Sequence, residues 1–183
     1  MKNFLWGKVV ICQFFFVPLQ RILKIMSTFI GNIEVRADEK GRIFVPAGYR
    51  KILAEMSSKR IVMRRDTDNA CLIFYPESVW NEKVSALRAA LDEWDPEDQL
   101  LLMQFMSDAE ILEPDNQGRI LLQKRNLECL SDNTERETKK AENNELVFVG
   151  MYDRFALWKP EVYASKRLEQ KELAVRLRER MKK

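Results

Sequence analysis

One eight-residue pattern occurs twice in this chain. Asp38-Glu39-Lys40-Gly41-Arg42-Ile43-Phe44-Val45 returns 77 residues later as Asp115-Asn116-Gln117-Gly118-Arg119-Ile120-Leu121-Leu122, with Asp, Gly, Arg and Ile at identical spacing. A second pair follows in the same order at an offset of 84: Cys71-Leu72-Ile73-Phe74-Tyr75-Pro76-Glu77 against Phe155-Ala156-Leu157-Trp158-Lys159-Pro160-Glu161. The difference of seven reads as an insertion at residues 131–144, a polar stretch with turn-forming residues. Two motifs repeated in one order indicate duplication of a unit. With 183 residues to share, the chain can form two small half-domains around a common core.

Each unit predicts the same elements. A strand (residues 30–37 and 110–114) enters the Asp-x-x-Gly-Arg turn, and a short strand (42–45 and 119–122) leaves it. A short helix follows (47–55, with Pro46 setting its first turn, and 124–130). Two strands then pair, 60–64 with 70–75 and 146–151 with 154–158, the first pair turning at Asp66-Thr67-Asp68-Asn69. After Pro76 the period becomes helical, with Trp80, Val84, Leu87 and Leu91 on one face. Pro96 interrupts it, and Leu101, Leu102, Phe105 and Met106 mark a further helix joining the units. These stripes read as core packing. The organisation expected is a leader at 1–25, a first repeat at 26–95, a linking helix at 96–107, a second repeat at 108–165 containing the inserted loop, and a basic helical tail at 166–183.

Function is bounded by what is missing. There is no histidine, which removes the commonest general base and zinc ligand. Cys12, Cys71 and Cys129 are odd in number and far apart, so neither a disulfide framework nor a thiolate metal site is expected, and Cys71 in its apolar run reads as core. No paired carboxylates or phosphate loop stand out, so no catalytic residue, metal or cofactor is assigned and an enzyme is the weakest reading.

Charge is informative only by position. The net of +3 comes from Lys2, Lys8, Arg21 and Lys24; removing these four from the 31 bases leaves 27 against 28 acids. Residues 89–118 hold nine acids and no base, whereas residues 164–183 hold eight bases and three acids. These segments read first as solvated faces. The leader's apolar run 9–17 lacks a small-residue cleavage site and is too short to span a bilayer, and Met26 is the expected translation start.

The repeated turn is the candidate binding element. The Asp carboxylate can accept backbone N–H bonds two or three residues on, Gly supplies the positive φ, and Arg starts the next strand where Asp can orient it. An oriented guanidinium suits a phosphate clamp or a two-bond contact to a guanine edge. Arg42, with Lys40 beside it, and Arg119, with Asn116, are the candidate DNA-contacting residues; Asp38, Gly41, Asp115 and Gly118 support the turns. The same motif also serves as a plain hairpin turn, and the residues alone leave both readings open.

At these residues the sequence resembles the MraZ family, bacterial transcriptional regulators with a duplicated AbrB-like fold. The resemblance spans residue 26 to about 161 and rests on both turn motifs, on Pro46-Ala47, Tyr49-Arg50, Tyr75-Pro76, Ser107-Asp108-Ala109, Val149-Gly150, Asp153-Arg154-Phe155 and Trp158. It implies a β-rich mixed α+β fold in which two tandem swapped-hairpin repeats form a pseudo-dimeric β-barrel with flanking helices. It further implies DNA contact by the loops of Asp38 and Arg42 and of Asp115 and Arg119. The assembly implied is a ring-shaped homo-oligomer on direct-repeat sites of double-stranded DNA upstream of the division and cell-wall genes. Autoregulation, a cytoplasmic, nucleoid-associated location, no small-molecule substrate and no membrane partner complete the expectation. The sequence departs from the family at Leu122-Gln123-Lys124, where Ile-Pro-Ala is usual, at Asn126-Leu127, and in the absence of Arg from 98–106. The rival reading is a non-enzymatic interaction protein, with structural turns and a leader or basic tail that targets a membrane or partner.

Overall fold

The structure is a computed structural model that describes residues 28–130 and 144–182. The leader and most of the inserted loop, with Met26 and Cys12, lie outside the described residues. The strands are β1 (Asn32–Arg36), β2 (Arg42–Phe44), β3 (Ile61–Arg65), β4 (Leu72–Pro76), β5 (Ala109–Leu112), β6 (Arg119–Leu121), β7 (Glu145–Gly150) and β8 (Phe155–Trp158). The helices are α1 (Ala47–Glu55), α2 (Glu77–Ala90), α3 (Pro96–Ser107), α4 (Lys124–Glu128), α5 (Pro160–Lys166) and α6 (Gln170–Met181). Six strands form an antiparallel sheet in the order β1-β7-β8-β4-β3-β5, and β2 pairs with β6 in a separate ribbon.

The pairing crosses the two halves of the chain. β1 lies on β7 just as β5 lies on β3, while β4 pairs with β8 and β2 with β6, each with its counterpart in the repeat. Neither half completes its own sheet, so the halves share one core.

Strand alternation explains how both faces of the central strands are buried. Leu72 and Phe74 of β4, Ile61 and Met63 of β3, and Phe155 and Leu157 of β8 enter one apolar cluster. Cys71, Ile73, Tyr75, Val62 and Ala156 enter a second cluster on the opposite face, under Val79 and Trp80 of α2. The first cluster is closed by Ile43 and Ile120 of the ribbon and by Tyr49 and Leu53 of α1. Burial pushes the Cys71 thiol up to about 12, which makes it an inert core group.

Local chemistry sets the element ends. Asp66 Oδ1 accepts from Asp68 N at 3.1 Å and Asn69 Nδ2 at 2.9 Å, closing the β3–β4 turn. Asp95 caps α3, accepting from Glu97 N at 2.8 Å and Asp98 N at 3.1 Å, with Pro96 at the first helical position. α4 is shorter than expected, ending at Glu128.

One expectation is corrected. The sheet does not close into a barrel, because β1 and β5 remain its two edges. The three-residue strands β2 and β6 satisfy each other's hydrogen bonds rather than bridging those edges. They cover the apolar face as a lid, closing the core by packing and not by a continuous ladder.

Candidate nucleic-acid interface

The two repeated turns fold alike, atom for atom. In the first, Asp38 Oδ1 accepts from the backbone N–H groups of Lys40 and Arg42, both at 2.9 Å, and Asp38 Oδ2 accepts from Arg42 Nε at 2.6 Å. In the second, Asp115 Oδ1 accepts from Gln117 N and Arg119 N, both at 2.9 Å, and Oδ2 accepts from Arg119 Nε at 2.8 Å. Arg119 Nη2 also lies 2.8 Å from Asp115 Oδ2. Each carboxylate therefore closes its turn with one oxygen and orients the guanidinium with the other.

Gly41 and Gly118 occupy the positive-φ position, at 80° and 78°. Their carbonyls tie each turn to the opposite strand: Leu122 N donates to Gly41 O at 2.9 Å and Val45 N to Gly118 O at 3.0 Å. The turns thus sit at the two ends of the β2–β6 ribbon.

Ribbon register decides which side chains share a surface. Arg42 faces Leu121, Ile43 faces Ile120 and Phe44 faces Arg119. The isoleucines point into the core, at 0% and 1% exposure, so alternation sends Arg42, Phe44, Arg119 and Leu121 outward. Arg42 and Arg119 are diagonal neighbours there, roughly 7–8 Å apart at their backbones. Phe44 and Leu121 are about half exposed beside them, and the Arg119 guanidinium lies 5.8 Å from the Phe44 ring centroid. Lys40 and Asn116 sit on exposed turn tips at opposite ends of the ribbon.

The electrostatics follow from the hydrogen bonds. Asp38 titrates below the usual carboxylate range, chiefly because the Arg42 N–H bonds its charged form, with the Arg42 side chain and Lys40 N–H adding to this against some desolvation. Asp115 is lowered in the same way by Arg119 and Gln117. A carboxylate lowered in the folded state contributes stability above its unfolded value of about 3.9, and that contribution is lost as pH falls through the folded value. The turns should stay closed through neutral and mildly acidic pH. Carboxyl NMR titration should place both midpoints below those of freely solvated aspartates, and an ordinary midpoint at either residue would mean that its turn is open in solution.

Several groups at this surface were not legible as site residues. Arg50 on α1 packs against Gly118 and donates through Nε to Val45 O at 3.1 Å, supporting the second turn from behind. Its only sequence signal was the Tyr49-Arg50 pair. Phe44 and Leu121 stood in the sequence only as apolar strand residues, and the ribbon register turns them outward. Asn126 is 1% exposed, accepting from Arg65 Nη2 and donating to Glu110 Oε2, both at 3.2 Å. That network joins α4 to β3 and β5. Among the described residues there is no cluster of ligands suited to a metal ion, and no helix is long and apolar enough to cross a membrane.

Comparison with known proteins finds relatives of this chain. Residues 28–102 match a family model described as "MraZ protein, putative antitoxin-like". A protein of Bacteroides thetaiotaomicron named transcriptional regulator MraZ is 43% identical over 136 residues, covering 74% of this chain and 81% of the relative. The protein of the same name from Bacteroides fragilis is 38% identical over 157 residues, covering 86% and 93%. That of Haemophilus influenzae is 32% identical over 130 residues, covering 71% and 79%.

Proposed function

The chain belongs to the MraZ family, and from that premise we propose that it is a DNA-binding transcriptional regulator that contacts duplex DNA through the outward face of the β2–β6 ribbon. The carrying observation is that Asp38 and Asp115 aim Arg42 and Arg119 onto one surface of one ribbon. Lys40 and Asn116 extend the contact at the turn tips. The cross-paired strands support reading the units at 26–95 and 108–165 as tandem swapped-hairpin repeats, joined by a linking helix at 96–107 and followed by a basic tail at 166–183.

Each Asp–Arg pair is neutral as a whole, so a single ribbon offers little net charge. One protomer then binds weakly, and useful affinity comes from several ribbons engaging successive direct repeats in a ring-shaped homo-oligomer. Covering a promoter upstream of its own gene, in the division and cell-wall cluster, would repress it. A cytoplasmic, nucleoid-associated location belongs to the same reading.

Fluorescence anisotropy of the full chain on DNA from upstream of its own gene tests this, with salt titrated and Arg42→Ala/Arg119→Ala compared with wild type. The double variant should lose about 1–3 kcal/mol per guanine-directed guanidinium. For a guanidinium on a phosphate, the salt slope should instead become shallower by about one per arginine removed. Unchanged binding by a folded double variant would make the turns structural and move the DNA-binding surface to the basic tail.

A further inference from the structure

Two helices of this fold leave apolar faces exposed, and they are opposite in charge: α6 packs on nothing among the described residues, and α3 seats only its inner side, where Phe105 stacks on Trp80 at 5.2 Å. α6 is exposed along its whole length, as is the extended Arg167–Glu169 link that carries it away from α5. A 12-residue helix standing alone in water is marginal. Yet Leu173, Leu177 and Met181 recur at four-residue spacing and are 44%, 53% and 86% exposed. They form an apolar stripe with Arg178 and Arg180 at its borders.

α3 presents the complementary surface. No residue of it is fully buried, and its outward face carries Leu100 at 47% and Met103 at 61% exposure. Residues 92–108 contain six acids and no base, whereas residues 166–182 contain seven bases and three acids.

We propose that α6 of one protomer packs on α3 of a second copy of this chain, apolar stripe against apolar face, with arginines meeting the acidic border. The two surfaces are different patches of the molecule, so the junction is head-to-tail and each protomer keeps one free surface at either end. Such a junction propagates until it closes on itself. The inference deepens the oligomeric part of the proposed function by naming the surfaces that join. Like-charged α3–α3 and α6–α6 pairings are disfavoured, which sets the direction of assembly.

Sedimentation velocity on the full chain tests it, with two surface variants, Leu173→Asp/Leu177→Asp on α6 and Leu100→Lys/Met103→Lys on α3. All four positions are exposed in the protomer, so each variant should keep a folded sheet and a cooperative melt, with at most the loss of stability and α6 helicity that dissociation brings. Wild type should sediment as a species larger than a dimer, and each variant as a monomer. An equimolar mixture of the variants should form a 1:1 heterodimer and nothing larger, because each retains one intact half of the junction. A monomeric wild type, an α6 variant of wild-type mass, or a mixture that stays monomeric would each overturn the proposal. So would an α6 variant that keeps its mass but loses DNA affinity, since α6 would then be a DNA arm. Arg42→Ala/Arg119→Ala provides the separation from the DNA reading: its DNA affinity reports on the turns, while its mass should equal that of wild type.

Discussion

Phe155→Ala should lower stability by about 3–5 kcal/mol, the range for truncating a fully enclosed aromatic. Phe155 is 0% exposed. Its ring stacks on Phe74 at 5.2 Å and 2°, and lies 4.9 Å from Phe29, 5.1 Å from Tyr49 and 5.5 Å from Phe148. These partners come from both halves of the chain: the segment before β1, α1 and β4 on one side, β7 on the other. Removing the ring opens a cavity that five elements would have to close together. The melting temperature should fall by roughly 10 °C or more for a protein of this size. Because the cluster belongs to both halves, urea denaturation should remain one transition, followed identically by far-ultraviolet circular dichroism and tryptophan fluorescence. A loss below about 2 kcal/mol, or two separated transitions, would show that the halves do not share a core.

Gly41→Ala and Gly118→Ala should differ although the two turns match. Both glycines hold positive φ, where any L side chain costs about 1–2 kcal/mol; the stiffer unfolded chain offsets about 0.4–1 kcal/mol of that. The surroundings decide the remainder. A methyl on Gly41 would meet Leu122 O at 2.5 Å, a backbone atom of the residue whose N–H bonds Gly41 O. A methyl on Gly118 would meet Arg50 Cδ at 2.6 Å and Nη1 at 2.7 Å, on a long side chain that can swing aside. We expect Gly41→Ala to cost about 3 kcal/mol and to weaken DNA binding, since displacing Leu122 shifts the end of the ribbon that carries Arg42. Gly118→Ala should cost about half as much. Equal losses in urea denaturation, or the reverse order, would refute this account of the two turns.

Much of the fold was legible because its signals are local. The Asp-x-x-Gly-Arg motif predicts a turn from carboxylate reach and glycine freedom alone, and both copies form it. Pro46 and Pro96 mark helix starts, and α1 spans Ala47–Glu55, the bounds expected from the sequence. The runs 70–75 and 155–158 are apolar without strict alternation, as strands buried on both faces must be. The open sheet was not legible. Whether short strands such as Arg42–Phe44 join a larger sheet or pair with each other depends on partners about 77 residues away, and no local pattern reports that. Asn126 was visible only as a departure from the family's usual residue; its worth depends on Arg65 and Glu110, brought beside it by two different strands.

The division of labour follows range. By itself the sequence determined the duplicated unit, the two turns, the residue that ends each turn in a guanidinium, and the absence of histidine chemistry, all of which depend on residue identity or on residues within a few positions of one another. Only the tertiary structure decided that the two halves exchange strands, that Arg42 and Arg119 share one face of the ribbon with Phe44 and Leu121 beside them, and that α3 and α6 are left with exposed apolar faces. Those outcomes are set by antiparallel register and by which faces remain after the core is filled, and both are properties of the whole chain packed together.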